Sequence, residues 1–288
     1  MYIKVENLNR ESQIIMKTLI LHGGVGNKYE CRKILEEYGE AAIKKENPLD
    51  AVVESVRLME DDIHFNAGTG SNMRIDGSIQ MDASVATAKL LGAVVSIEKV
   101  KNPVMVARDV ALHAPHNILC GDGATEFARA MGYAEYDPKT EKAEIKLKKA
   151  LEDLKKGKNE DYKNLEYFKR FLDTVGAVAK FGFEFAGAVS TGGTSLMLRG
   201  RVGDVPIYGA GLYVGAKGAI VNTGIGEEIV KKVLAHRVYM QIGNQSLKEI
   251  CGKELSEFGK IPVGIIAVSD SEECVEANLK MPYYISKI

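Results

Sequence analysis

The sequence predicts a mixed α and β fold, in which two sheets pack between layers of helix. Short apolar runs bounded by glycine or proline alternate with longer segments that carry apolar residues at helical spacing. Strands are followed by paired helices, and the alternation returns after residue 174. The 288 residues, 45% of them hydrophobic, suffice for a sizeable core in one large or two small domains.

The first half opens with a predicted buried strand over residues 18–21, followed by two predicted helices. Apolar residues recur at helical spacing from Cys31 to Ala42 in the first helix. Asn47-Pro48 supplies an N-cap and a first-turn proline for the second. The other predictions for this half are strands over 78–83, 84–88 and 93–97, and helices over 102–112 and 124–131.

The second half follows a densely charged segment over residues 141–170, which is poor in aliphatic residues. We expect this segment to lie outside the main core and to end in a flexible linker. The predictions beyond it are strands over 175–180, 185–190, 194–198, 218–222 and 264–269, and a helix over 226–241.

The charge and cysteine content argue against several classes of protein. A formal net charge of −1 gives no electrostatic footprint for nucleic acid or an anionic membrane. The four cysteines lie far apart, without metal-ligand spacing, which favours reduced thiols in an intracellular protein. No apolar run approaches the ~20 residues of a membrane span, and the N-terminal segment is too polar for a secretory signal. We therefore expect a cytoplasmic protein.

The junction at Asp173-Thr174 is the most informative point of the chain. The charged segment ends there, and a small, apolar strand-like run begins. Backbone cleavage before Thr174 would join a hydroxyl nucleophile and an α-amine base on one residue. The reference pKa of an α-amine is about 7.7–8.0, so it can accept the hydroxyl proton near neutrality. The alternative is an ordinary threonine in a strand.

Three further motifs follow the junction. Ser190-Thr191-Gly192-Gly193 ends a predicted strand, and Thr223-Gly224 precedes a predicted helix, where unpaired N–H groups favour negative charge. Arg201 and Asp204 lie three residues apart. Such a pair is usually a surface salt bridge. It could instead grip a zwitterionic amino acid, with Arg201 on the carboxylate and Asp204 on the ammonium.

These segments resemble the plant-type L-asparaginase/isoaspartyl peptidase family of N-terminal-nucleophile threonine hydrolases. The resemblance extends from about residue 21 to 243. It implies an α+β fold, a four-layer αββα sandwich in a single domain made of two autoproteolytic subunits. The α subunit would span 1–173, with the charged linker at about 141–173, and the β subunit 174–288. The family also implies an (αβ)₂ assembly.

The resemblance also implies roles for individual residues. Thr174 is the expected nucleophile, and it would first attack the carbonyl of Asp173 to cleave the chain. Thr191 would orient it, and Thr223 with Gly224 would form the oxyanion hole. The residues implied in substrate binding are Arg201, Asp204, Gly224, Gly226 and Asn66.

A sodium ion held by main-chain carbonyls is the only metal that the resemblance implies, and no cofactor is required. Hard cations prefer oxygen ligands, so such a site is chemically reasonable. The matching positions are Met59, Glu60, Asp62, Phe65, Ala67 and Thr69.

The implied activity is hydrolysis of L-asparagine to L-aspartate and ammonia, together with cleavage of β-aspartyl dipeptides. Two alternatives stay open. Leu172-Asp173 departs from the His-Gly pair of many members, and the Asp-Thr junction resembles that of glycosylasparaginases. A non-catalytic relative that acts as a binding protein is the other. His22-Gly23-Gly24 also occurs in α/β-hydrolases, but this sequence lacks their Gly-x-Ser-x-Gly elbow.

Overall fold

Two β-sheets and eight α-helices make up the described part of the chain. The computed structural model describes residues 16–27, 29–155 and 174–288. Asp173 and the part of the predicted linker from residue 156 onwards lie outside the described residues. The predicted mixed α and β fold with two sheets is confirmed.

The larger sheet has seven strands, and its members come from both halves of the chain. They are β1 (Lys17–His22), β2 (Met81–Thr87), β3 (Leu91–Ile97), β4 (Ile118–Cys120), β5 (Val175–Phe181), β6 (Glu184–Thr191) and β11 (Tyr283–Lys287). Their order is β11-β1-β5-β6-β2-β3-β4, and every neighbouring pair is antiparallel except β3 and β4.

The smaller sheet has four antiparallel strands from the second half. They are β7 (Leu212–Gly215), β8 (Gly218–Gly224), β9 (Val263–Ser269) and β10 (Glu273–Ala277), in the order β10-β9-β8-β7. The helices are α1 (Arg32–Ala42), α2 (Pro48–Asp61), α3 (Pro103–His113), α4 (Gly121–Ala130), α5 (Glu141–Lys155), α6 (Gly226–Lys232), α7 (Leu234–Gln241) and α8 (Leu247–Ser256). Among the described residues, none of the helices is both long and apolar enough to cross a bilayer.

Three large apolar cores and one small cluster around Ala150 and Leu196 hold the described elements together. Leu19 and Leu21 of β1 face a core shared with α1, α2 and α3, whereas Ile20 between them faces the other sheet. The core between the sheets also contains Val178 of β5 and Val221 of β8. A third core joins the smaller sheet to α7 and α8. Because the central strands are buried on both faces, they appear in the sequence as continuous apolar runs.

Several predicted elements differ from the structure. The strands predicted over 78–83 and 84–88 are one strand, β2, and the segment 194–198 forms no strand because Leu196 adopts a φ of +64°. The helix predicted over 226–241 is interrupted at Val233, which has a φ of +49°. The charged segment contains α5, whose Ala143 packs in the first core. The strands and helix that were not predicted are β4, β7, β10, β11 and α8.

Candidate active site

Thr174 lies at the N-terminal end of a central strand of the seven-stranded sheet. It directly precedes β5, which pairs with β6 so that Val175 faces Ser190. This register brings Thr174 beside Thr191, and the Thr174 hydroxyl donates to the Thr191 hydroxyl over 3.4 Å. Thr174 is buried, with 7% of its surface exposed. The geometry therefore places a buried hydroxyl next to a second hydroxyl that can orient it.

The segment after Thr191 turns sharply and is held by two asparagines. Thr191 Oγ1 accepts from the Gly193 N–H at 3.0 Å, and Gly193 has a φ of +72°, which suits glycine. The Gly193 carbonyl accepts from Asn66 Nδ2 and Asn72 Nδ2. Asn66 Oδ1 in turn accepts from the Asn72 N–H at 3.0 Å. Asn66 therefore ties this turn to the glycine-rich loop of the first half.

A small cavity opens beside the Thr174 side chain. Its volume is about 20 Å³, which is room for about one water molecule. Seven of the residues predicted from the sequence line it: Asn66, Thr174, Thr191, Arg201, Asp204, Gly224 and Gly226. Residues from distant parts of the chain thus meet in one place, because the sheet and the turn after β6 bring them together.

Arg201 reaches this cavity from the irregular segment between β6 and β7. Its guanidinium is held by Glu227, with Nε donating to Oε1 and Nη2 donating to Oε2, both at 2.8 Å. Its main chain is held by Arg74, a fully buried residue whose Nη1 donates to the Arg201 carbonyl at 2.9 Å. The guanidinium and the main-chain carbonyl of Arg201 are therefore both held by residues to which the sequence analysis gave no role.

Asp204 is buried, and its Oδ2 has no hydrogen-bond partner among the described residues. Burial raises the pKa of Asp204 to about 7, and the nearby charge of Arg201 opposes part of that rise. A Cβ on Gly226 would lie 2.8 Å from Asp204 Oδ1 and 3.0 Å from Arg201 Nη2, so glycine leaves room between the two groups. The cavity therefore presents a guanidinium and a carboxylate, which complement the two charged ends of an α-amino acid.

Two adjacent threonine hydroxyls thus lie beside the guanidinium of Arg201 and the carboxylate of Asp204, as the resemblance in the sequence implies. The family described as Asparaginase matches residues 15–280 of the chain. The chain belongs to the asparaginase family. The resemblance inferred from the motifs is confirmed, and the protein is a hydrolase.

Individual relatives in the asparaginase family cover most of the chain. A plant-type L-asparaginase of Pyrococcus abyssi is 40% identical over 277 residues, covering 88% of this chain and 90% of the relative. An isoaspartyl peptidase of Salmonella typhimurium is 34% identical, covering 92% and 91%. An isoaspartyl peptidase/L-asparaginase of Danio rerio is 37% identical, covering 78% and 75%.

Thr223 and Gly224, the pair assigned to the oxyanion hole by resemblance to the asparaginase family, end β8. Gly224 lines the cavity with a φ of +148°, and a Cβ there would clash with the Pro262 carbonyl. Thr223 is fully buried, and its Oγ1 accepts from the Val25 N–H at 3.4 Å. The hydroxyl of Thr223 thus contacts the loop after β1, and the residue is not among those that line the cavity.

His22 is a buried residue next to Thr174 that sequence reasoning did not count as part of the site. Its Nδ1 accepts from the Gly24 N–H at 3.2 Å, so a proton on the neutral ring would sit on Nε2. Burial lowers the pKa of His22 to about 3, partly opposed by the main chain of Thr174. The register places His22 opposite Gly176, which lacks the Cβ that would meet Nε2. The sequence signal was His22-Gly23-Gly24 itself, whose glycines the family resemblance places near the cleavage site without a role for His22.

The loop assigned to sodium by the resemblance folds back tightly on itself. A Cβ on Gly68 would clash with the Glu60 carbonyl, and one on Gly70 with the Phe65 carbonyl, so both oxygens crowd a tight turn. The carbonyls of Met59, Asp62 and Ala67 each accept one N–H within the loop at 3.1–3.3 Å. A carbonyl oxygen has a second lone pair, so these residues fit a hard cation.

Elsewhere in the described residues, we find no metal-binding cluster of side chains, and a larger cleft lies away from the predicted site. No cluster of three or more His, Cys, Asp or Glu side chains suited to a metal occurs among them. A larger cleft of about 960 Å³ lies against Phe183, Lys217 and Glu272, at the far end of the β5–β6 hairpin from Thr174. It contains none of the predicted site residues.

Proposed function

We propose that this chain is a self-cleaving amidohydrolase that hydrolyses L-asparagine to L-aspartate and ammonia and cleaves β-aspartyl dipeptides. One observation carries the proposal: Thr174 is buried beside Thr191 and lines the same cavity as Arg201 and Asp204. Relatives named L-asparaginase and isoaspartyl peptidase support the two substrates.

The first step is cleavage of the chain before Thr174. Thr174 Oγ attacks the Asp173 carbonyl carbon, and the peptide C–N bond breaks to leave an ester and a free α-amine. Water then hydrolyses the ester, which releases the Asp173 carboxylate and restores the hydroxyl. The cavity volume of about 20 Å³ in the uncut chain supports this order, because an amino acid needs more room than one water molecule.

The mature Thr174 then carries its own base. The α-amine takes the hydroxyl proton as Oγ attacks the side-chain carbonyl of asparagine, and the proton is passed to the departing ammonia. Water hydrolyses the β-aspartyl ester that remains. Thr191 orients the nucleophile, and the Gly224 N–H with Thr223 Oγ1 stabilises the oxyanion. One preorganised donor of this kind is worth about 2.7–4 kcal/mol of barrier.

Substrate selection depends on the two charged groups of the cavity. Arg201 binds the α-carboxylate, while Asp204 and the Gly226 carbonyl accept from the α-ammonium. Holding both ends of an aspartyl group directs its side-chain carbonyl at Thr174. The same placement accepts an asparagine amide or a β-linked peptide bond. Asn66 lines the cavity and assists placement.

The finer architecture belongs to the same proposal. The two sheets form the inner layers of a four-layer αββα sandwich, which the three separate cores support. Cleavage divides its single domain into an α subunit of residues 1–173 and a β subunit of residues 174–288, and two such pairs assemble as (αβ)₂. A structural sodium ion occupies the loop from Met59 to Thr69. The protein acts in the cytoplasm without a further cofactor.

The test compares the parent chain with Thr174→Ala and Thr174→Ser after incubation at neutral pH. We expect the parent to yield two fragments and a new N-terminus at Thr174, whereas Thr174→Ala stays as one band of 31.4 kDa without activity. Thr174→Ser retains a hydroxyl and should cleave more slowly. An active, uncleaved parent would contradict the maturation step.

The substrate is settled by three parallel assays of the mature protein. Release of aspartate is measured from L-asparagine, a β-aspartyl dipeptide and a glycosylated asparagine. We expect activity on the first two. Activity confined to the third would instead favour the glycosylasparaginase alternative, which the Asp173-Thr174 junction suggests.

A further inference from the structure

Glu227 makes the strongest polar contact to Arg201, the residue proposed to bind the substrate carboxylate. Its two carboxylate oxygens accept from Nε and Nη2 of Arg201, each at 2.8 Å, in a side-on fork. Such bidentate pairs fix a guanidinium in orientation as well as in energy. Glu227 is the second residue of α6, directly after Gly226 of the cavity, so the helix start carries it to this position.

The fork leaves a defined edge of the guanidinium free for a ligand. Arg201 has five N–H donors, and Glu227 engages one on Nε and one on Nη2. The remaining donor of Nη2 and the pair on Nη1 form the end-on edge, which can still hold a carboxylate through two parallel bonds. Nη1 lies toward Gly203, and both Gly203 and Arg201 line the cavity.

The position of Glu227 argues that it supports Arg201 rather than blocks it. The Glu227 side chain is 53% exposed and that of Arg201 is 18% exposed, so the carboxylate approaches from the solvent side. Glu227 is not among the residues that line the cavity. The charges of two other carboxylates, Asp204 and Asp82, also act on the guanidinium, and of these Asp204 lines the cavity. Without Glu227, Arg201 would be free to pair with Asp204, which would remove both substrate anchors at once.

We infer that Glu227 is a positioning residue, which sets substrate specificity by presenting the end-on edge of Arg201 to an α-carboxylate and by keeping Arg201 apart from Asp204. The inference rests on the proposed function. Glu227 itself does not touch the substrate. Its removal should therefore weaken binding of ligands that carry an α-carboxylate and leave the chemical step nearly unchanged.

The experiment uses the mature protein with Glu227→Gln and measures binding of L-aspartate and β-alanine by calorimetry. β-Alanine is aspartate without its α-carboxylate, so it cannot use Arg201 in the proposed way. We expect the Kd for aspartate to rise at least about tenfold and that for β-alanine to stay within about twofold. In steady-state assays, KM for asparagine should rise while kcat stays within about threefold.

Two controls separate positioning from general damage. Glu228→Gln alters the next residue, which pairs with Lys231, and should leave both Kd values unchanged. In an Arg201→Lys background the fork is already lost, so Glu227→Gln should change the aspartate Kd by less than twofold.

An equal rise in both Kd values, or an aspartate Kd that is unchanged or lower in Glu227→Gln, would overturn the inference. If the parent hydrolyses asparagine and binds aspartate in either of these cases, the proposed function stands while the inference fails. If the parent neither hydrolyses asparagine nor binds aspartate, the proposed function fails and the inference falls with it.

Discussion

Burial raises the pKa of Asp204 to about 7, so this residue changes charge across the neutral range. Its Oδ2 has no hydrogen-bond partner among the described residues, and Asp204 lines the same cavity as Arg201. A buried carboxylate without a full set of donors destabilises the free protein. The same group becomes useful when a cationic ligand supplies the missing donors. Function and stability therefore make opposite demands on Asp204.

Asp204 should make substrate binding depend on pH. Only the ionised carboxylate carries the charge that attracts an α-ammonium, and its ionised fraction falls about tenfold between pH 8 and pH 6 for a pKa of about 7. We expect the Kd for L-aspartate to rise about tenfold over this interval. Titration calorimetry at several pH values checks it, and a Kd independent of pH would contradict the role given to Asp204.

Asp204→Asn should increase stability while abolishing substrate binding. Because the folded-state pKa of about 7 lies above the unfolded value, the folded state binds more protons between about pH 4 and 7. Stability attributable to this group is therefore highest at low pH and falls as pH rises through that window. The asparagine side chain introduced at position 204 carries no charge, so its burial has no cost of ionisation. We expect a gain of roughly 1–4 kcal/mol above pH 7 and little at pH 4, measured by urea unfolding.

Gly226→Ala should impair binding without unfolding the protein. Its Cβ would lie 2.8 Å from Asp204 Oδ1, in the space assigned to the α-ammonium, and Gly226 is not among the glycines with a positive φ. We expect KM for asparagine to rise at least about tenfold. Gly252→Ala in α8 is the matched control, because no atom lies within 4 Å of its Cβ position. That change should stabilise the protein by about 0.5–1 kcal/mol.

At the scale of the elements, the break between α6 and α7 has a single cause in the main chain. Val233 adopts φ +49° and ψ +50°, a left-handed conformation that is costly for a β-branched residue. Hydrophobic spacing over 226–241 predicts one continuous helix, and Ile229, Leu234 and Val238 of that pattern are buried in the two short helices. Local sequence gave no signal for the break, and packing of two short helices against the smaller sheet decides it.

Val233→Gly should therefore stabilise the protein. Val233 is 43% exposed, so little apolar burial is lost, and glycine adopts the left-handed conformation readily. We expect the free energy of unfolding to rise by about 0.5–1 kcal/mol, with unchanged kcat and KM. Val230→Gly, in the regular part of α6, should instead destabilise by about 1 kcal/mol. Equal effects of the two changes would show that Val233 is not strained.

Element predictions succeeded where the pattern was local. Asn47-Pro48 starts α2 as expected, with Asn47 Oδ1 accepting from the Asp50 N–H. The capping box of Ser246 and Glu249 was a readable signal for α8 that was overlooked. The strands β10 and β11 had no such signal, because edge strands with mixed polar residues are defined by their partners rather than by their own pattern.

At the scale of the whole molecule, the larger sheet interleaves the two halves of the chain. β1 lies between β11 and β5, and β2 lies beside β6, so strands from before residue 174 pair at three places with strands from after it. Pairing across the proposed cleavage point is extensive, and both halves contribute to the cores on either face of this sheet. Neither half forms the larger sheet by itself.

Cleavage before Thr174 should therefore leave the two fragments firmly associated. We expect them to elute together in size-exclusion chromatography under native conditions and to separate only in denaturant, since each would otherwise expose strands buried on both faces. Mixing the two fragments after separate expression should restore folding poorly compared with cleavage of the intact chain. Free fragments eluting separately under native conditions would contradict the interleaved sheet.

Much of the candidate site was predictable because its motifs are short and chemically specific. Thr174, Thr191, Arg201 and Asp204 each stand in a segment that resembles the asparaginase family, and the cavity brings them together. Glu227 and Arg74 were not found, because their contacts join residues that are distant in the sequence. The sequence around a charged residue in a helix start or a loop does not indicate which distant residue it will pair with.

The order of residues alone determined the family, the class of reaction and the identity of the proposed nucleophile, since these depend on which groups are adjacent along the chain. Only the tertiary structure decided which charges face one another, which helix is interrupted and how the two halves share a sheet. Those features depend on contacts between residues far apart in sequence, and such contacts form only when apolar surfaces are buried together.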